Sequence, residues 1–168
     1  GISHDANVTR AQADRRAIEL IRRIAGDRFI LGCGNPMAPS IGLVNGTRIG
    51  PDVAPFWYPA EPPREEGRSD LSLVSTINGI RNILGRFWMH NRLWLNDPDC
   101  MLARDSDTAL KADEVRTLAA IIALSGGMVL DSDNLMRLSD ERRAMVSMLL
   151  PPYGKSGVPL DLFESDLP

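Results

Sequence analysis

Apolar positions recur at two different periods along this chain, and their alternation predicts the architecture. In residues 10–25, RAQADRRAIELIRRIA, Ile18, Ile21 and Ile24 with Ala17 and Ala25 form a stripe at helical spacing, and Arg and Glu fill the other face. Thr9 is the natural N-cap and Gly26 the natural stop. Phe29 to Cys33 is a short apolar run bounded by turn residues, which reads as a buried strand. Residues 34–44 carry two prolines and two glycines and predict a loop with little helix. Thr47 to Ile49 is a second short strand, and residues 58–68 form a Pro- and charge-rich loop. Leu71, Val74, Ile77, Ile80, Ile83 and Leu84 then predict a helix from a Ser69 cap to Arg86, weakened at Asn78 and Gly79. Phe87 to Asn91 continues that helix or turns. Leu93 to Leu95 is a third strand. Asp113 to Leu124 is a helix with Val115, Leu118, Ala119, Ile121 and Ile122 inward, ended by Gly126-Gly127. Met128 to Leu130 is a fourth strand. Ser139 caps a last helix to about Leu149, which Pro151-Pro152 stops. In the tail, Leu160, Leu162 and Phe163 are available to pack.

Strands alternating with helices mean parallel βα units. The expected fold class is therefore α/β, with parallel strands and outer helices. One domain over 1–168 is expected: a preceding helix at 9–26, four βα units over about 28–150 and an irregular tail at 151–168. Each strand ends in polar residues: Cys33-Gly34, Arg48 with Asp52, Asp97 with Asp99, and Asp131 with Asp133. Parallel strands would gather these at one rim, where such sheets keep their chemistry.

Composition narrows the function classes. The 168 residues suffice for one core. A net charge of −3 without single-sign blocks makes no electrostatic case for nucleic acid or an anionic membrane. No apolar run reaches the roughly 18 residues of a membrane span. The polar start GISHDANVTR shows no signal peptide. Two cysteines, Cys33 and Cys100, are too few for a disulfide scaffold, and Cys33 is expected to be buried behind its strand. A cytoplasmic location is the expectation. The glycosylation patterns at Asn7 and Asn45 read as chance.

The candidate chemistry centres on Asn45–Trp57, NGTRIGPDVAPFW. Pro51 fixes its own backbone angle and biases Gly50 away from helix, so the bend is shaped. It holds Arg48 and Asp52 four positions apart. A carboxyl beside an arginine at a strand end is a candidate acid or base, or else a structural ion pair. Other signals are weaker. Gly32-Cys33-Gly34 lacks the third glycine and the following helix of a dinucleotide fingerprint. Ser132-Asp133-Asn134 and Lys155-Ser156-Gly157 mimic penicillin-binding motifs without the S-x-x-K nucleophile. His4 and His90 lack partners at ligand spacing, and the late aspartates read as turn caps, so neither metal nor cofactor is expected.

Three segments carry a family resemblance. FILGCGNP (29–36), RIGPDVAPFW (48–57) and LWLNDPDCMLAR (93–104) resemble the fifth-, sixth- and seventh-strand motifs of the α-galactosidase clan, glycoside hydrolase families 27 and 36, and are most similar to bacterial family 36-like enzymes. The order and spacing also agree, over roughly residues 8–150. The resemblance implies a (β/α)8 barrel and retaining chemistry on α-galactosides. By motif position it makes Asp52 the general acid/base, and places Arg48, Cys33 and Gly34 at the sugar. It makes Trp57, Asp97 and Asp99 packing or supporting residues. The fourth-strand K-x-D motif that carries the family's nucleophile has no counterpart in this sequence. What the resemblance implies is therefore a (βα)4 half of the barrel.

Half a barrel leaves open edges and an apolar inner face. The expected partners are a missing N-terminal half-barrel or a second copy closing a homodimer. In the second case Asp131 would stand near the vacant nucleophile position, opposite Asp52. Two functions follow: the acid/base half of an α-galactosidase-like hydrolase, or a catalytically silent half-barrel module that self-associates.

Overall fold

The computed structural model describes residues 7–60, 70–162 and 164. The Ser69 cap, His4 and Phe163 lie outside these residues. The elements run α1 (Arg10–Ala25), β1 (Leu31–Gly32), α2 (Met37–Ser40), β2 (Gly46–Arg48), α3 (Thr76–Arg86), β3 (Leu95–Asp97), β4 (Cys100–Met101), α4 (Ala112–Ser125), β5 (Leu130–Asp131) and α5 (Asp140–Met148). Single 3₁₀ turns follow α3 and precede α5.

All strand pairs are parallel. β1, β2 and β3 form one sheet with Leu31, Gly46 and Leu95 in register, then Gly32, Thr47 and Asn96, then Arg48 and Asp97. β4 pairs with β5 through Cys100–Leu130 and Met101–Asp131. The third predicted strand is thus two pieces, shifted towards the C-terminus. Trp94 is buried in a small core with Ile18 and Val44, below the ladder. Pro98 and Asp99 interrupt pairing, and Asp99 takes a left-handed φ of 77°, as at a bulge. Met128 N–H still reaches the Asn96 carbonyl at 2.9 Å, so the fourth strand spans the break.

The helix ends follow their caps. Thr9 and Gln12 form a capping box on α1, and Ser139 accepts from Arg142 N–H at the start of α5. At the start of α4 the Glu114 carboxylate accepts the Lys111 N–H at 2.7 Å. Two expectations are corrected. The first is the start of α3, expected after a Ser69 cap and observed at Thr76. Ser75 is its cap, and Leu71 and Val74 are exposed on the preceding turns. Within α3 the Asn78 amide donates to the Asp70 and Leu73 carbonyls at 3.0 Å each. The second concerns α1, whose stripe is mostly uncovered. Ile18 is buried but Ile24 is 73 % exposed. Arg22 anchors this helix instead, donating to the Leu43 carbonyl at 2.7 Å and to Asn45 Oδ1 at 2.6 Å.

The main core lies between α3, α4, α5 and β4. Met101, Val115, Leu118 and Ile122 are sealed there, with Ile80, Leu138 and Val146 around them. The tail crosses the end of α4, where Gly157 N–H reaches the Leu124 carbonyl at 2.8 Å. A Cβ on Gly126 would stand 2.2 Å from the Lys155 backbone. Leu160 does not pack as expected; it is exposed. No described helix is long and apolar enough to cross a membrane.

This burial pattern makes a stability prediction. Leu118→Ala should destabilise the chain by about 2–5 kcal/mol, and Leu160→Ala by no more than about 0.5. Urea unfolding monitored by circular dichroism measures both.

Candidate active site

β2 ends on Arg48, whose guanidinium meets three carboxylates. Nε lies 3.2 Å from Asp97 Oδ2, Nη2 lies 2.9 Å from Asp99 Oδ1, and Nη1 lies 3.0 Å from Asp52 Oδ1. The three arms are unequal. The side chains of Asp97 and Asp99 are 1 % and 7 % exposed, Arg48 itself 14 %, and Asp52 71 %. An ion pair to an exposed carboxylate contributes about 0–1 kcal/mol. Removing the cation from two buried carboxylates costs about 3–5 kcal/mol. Arg48 therefore belongs to Asp97 and Asp99, and Asp52 is held lightly. Burial opposes the charge on Arg48, but the two buried aspartates outweigh it and hold the guanidinium above its ordinary value.

The register explains the pairing. Arg48 stands beside Asp97 across β2 and β3, so their side chains share one face. Asp97 also accepts the Asp99 N–H on Oδ1 at 2.8 Å. Asp99 accepts the Val53 N–H on Oδ2 at 2.7 Å. The loop after β2 is pinned further along by α3: Thr76 Oγ1 donates to the Ala54 carbonyl at 2.7 Å, and Thr76 and Ile77 N–H reach the Phe56 and Trp57 carbonyls. The half-buried Trp57 side chain packs against the main core. On the strand side, Arg86 Nη1 donates to the Ile49 carbonyl. Arg86 was not singled out from sequence; its only signal is its place in the last turn of α3.

Cys33 is exposed, against the expectation of burial. β1 ends at Gly32, so Cys33 and Gly34 sit past the strand. Cys33 is within electrostatic reach of Arg48. Cys100, beside Asp99, has its thiol pushed up to about 11, by burial first and by its hydrogen bond to Asp99 next.

Asp131 does not join this cluster. It is in register with Met101, whose side chain is sealed in the helix-side core. Asp131 Oδ1 accepts the Asp133 N–H at 2.8 Å, and burial pushes its carboxyl above the ordinary range. Asp133 in turn pairs with Arg104 at 2.6 Å and accepts the Ala103 N–H. So Arg48, Asp52, Asp97 and Asp99 come together, Cys33 borders them, and Asp131 lies in a second cluster. Among the described residues, no group of three or more His, Cys, Asp or Glu is arranged to hold a metal ion.

The chain is thus an α/β protein whose parallel strands carry a buried arginine–carboxylate network, with one exposed carboxyl at a strand end. No protein-family model matches the chain. It is similar in structure to the α-galactosidase of Thermus thermophilus crystallised with stachyose, at 32 % identity and a TM-score of 0.71, over 81 % of this chain and 29 % of that one. The same enzyme with p-nitrophenyl α-D-galactopyranoside matches at 31 % and 0.72, over 83 % and 28 %. α-Galactosidase I of Mortierella vinacea matches at 14 % and 0.59, over 82 % and 36 %, a likeness of fold. The chain spans less than a third of the length of the Thermus enzyme.

Two measurements test the site. Arg48→Met should destabilise the chain by about 3–5 kcal/mol and Asp52→Asn by less than about 1, read by chemical denaturation. In alkylation at pH 8, exposed Cys33 should label first. With its thiol near 11, Cys100 is only about a thousandth thiolate and should label far more slowly, read by peptide mass spectrometry.

Proposed function

We infer that the chain supplies the acid/base side of a retaining α-galactosidase-type active site, as the last four βα units of a (β/α)8 barrel. The observation that carries this reading is the Arg48–Asp52 pair, 3.0 Å apart at the rim of a parallel sheet. It occurs in a chain 32 % identical to the Thermus α-galactosidase over most of its own length. On this reading the whole chain is one half-barrel domain, and its substrate is an α-galactoside.

The chemistry divides between two carboxyls. In retaining hydrolysis they stand about 5–5.5 Å apart across the scissile bond. Asp52 protonates the departing glycosidic oxygen, then takes a proton from the water that releases the sugar. Its exposure suits this role, because the carboxyl must reach a leaving group and exchange protons. The nucleophile would come from a strand beside β1, outside these four units. Cys33 and Gly34, at the end of β1, would line the sugar pocket between the two carboxyls. Arg48 would face the sugar near its C2 hydroxyl, held in place by Asp97 and Asp99. Trp57 would close the outer side of the loop through packing alone.

One observation favours a second reading. Leu31 and Leu95, on either side of Gly46 in the ladder, are exposed, as is Leu130 on β5, and exposed apolar side chains of this kind invite another copy of the chain. Two copies could close an eight-stranded barrel. On this second reading such a homodimer is a catalytically silent module.

A chimera separates the readings. Residues 9–150 would replace the matching segment of the Thermus enzyme, and galactose release from stachyose would be followed. Turnover is expected, and Asp52→Asn should lower kcat by about 10²–10⁴. The loss should be smaller on p-nitrophenyl α-D-galactopyranoside, whose leaving group needs less protonation. A folded chimera whose kcat is unchanged by Asp52→Asn contradicts the assignment.

A further inference from the structure

The residues that carry Asp52 have little regular structure of their own. β2 stops at Arg48, and among the described residues the next helix begins at Thr76. Nearby ties hold either side of the bend: Ile49 N–H donates to the Asp97 carbonyl at 3.0 Å, and the Thr76 hydroxyl to the Ala54 carbonyl at 2.7 Å. Between them, the Val53 N–H is bound by a side chain, the Asp99 carboxylate, from 46 residues further along the chain.

Asp99 is placed for this task at a conformational penalty. It is a non-glycine residue at φ 77°, a region that L-residues occupy only when the surroundings over-determine it. What holds it there is its own N–H on Asp97 Oδ1, at 2.8 Å. The left-handed turn lets both carboxylate oxygens face the β2 side. Oδ1 takes Arg48 Nη2 at 2.9 Å and Oδ2 takes Val53 N–H at 2.7 Å. A carboxylate can accept at both oxygens, whereas an amide can accept at only one.

The geometry points to Asp99 as the positioning residue of the acid/base loop. One of its oxygens fixes the backbone next to Asp52. The other, together with Asp97, occupies the buried side of Arg48, so that Asp52 keeps only a solvent-facing contact and remains free to exchange its proton. This rests on the reading of Asp52 as the acid/base. It adds that the loop is set from the Pro98–Asp99 break in the neighbouring strand. That break then has a purpose, since an unbroken strand would turn residue 99 elsewhere.

Amide hydrogen exchange of the 168-residue chain tests this without any turnover. A failure here is therefore distinct from a failure of the chimera. The Val53 amide reports the loop, and the Leu118 amide, in the middle of α4, reports general stability. Asp99→Ala removes one of the two buried partners of Arg48, so both amides should speed up, and Val53 should do so by at least about tenfold more than Leu118. Equal acceleration at both amides would mean a purely structural role and overturn the proposal, as would an unchanged Val53. Asp99→Asn is measured in parallel and decides the matter if the alanine variant does not fold. With a charge-assisted bond weakened to a neutral one, Val53 should speed up by about threefold or more relative to Leu118. Loss of folding in both variants also overturns the proposal.

Discussion

The guanidinium of Arg48 is the interaction on which the rest of the site depends. Two carboxylates, Asp97 and Asp99, are buried beside it. Burying a carboxylate charge is costly without a cation and further donors. Arg48 supplies the cation, and Asp99 N–H and Val53 N–H supply the donors. The network therefore joins β2, the loop after it and the broken third strand into one piece. It also explains why a sheet with so few ladder positions keeps its register. Arg48 beside Asp97 fixes β2 against β3 by charge, where the apolar pattern is too short to do so.

Legibility in the sequence followed the local physics. The bounds of α1 and α5 were readable because their caps, Thr9, Gly26 and Ser139, act on nearest neighbours. The start of α3 was misread because Leu71 and Val74 keep helical spacing while the Ser75 cap interrupts them. The bonds of Asn78 were not readable, because its partners, the Asp70 and Leu73 carbonyls, belong to a turn that no period reveals. The third strand moved because Asn96 and Asp97 are strand residues whose polar groups are satisfied from other elements. Asn96, for example, donates to the Arg86 carbonyl at 3.2 Å.

The candidate site was legible in its parts. Arg48 and Asp52 stood out through a shaped bend of four residues. That Asp99 binds the backbone beside Asp52 was not, because a bond across 46 residues leaves no trace in spacing. Arg86, which braces the Ile49 carbonyl from α3, was missed for the same reason. Cys33 was expected inside because it follows apolar residues; only the early end of β1 exposes it.

The same short strands leave the sheet unfinished. Among the described residues β1 has a neighbour on one side only, and Leu31, Leu95 and Leu130 are exposed. So does much of the apolar stripe of α1. Exposed edges and apolar rows of this kind are surfaces that associate. On the proposed reading they are where the other half of a barrel belongs. The most direct measurement is the solution mass of the 168-residue chain, by light scattering across a dilution series. A half-barrel predicts a mass that rises above one chain with concentration, because the open edge and inner row find other copies. A single stable species of one-chain mass at every concentration would contradict it, and would mean that this sheet needs no completion.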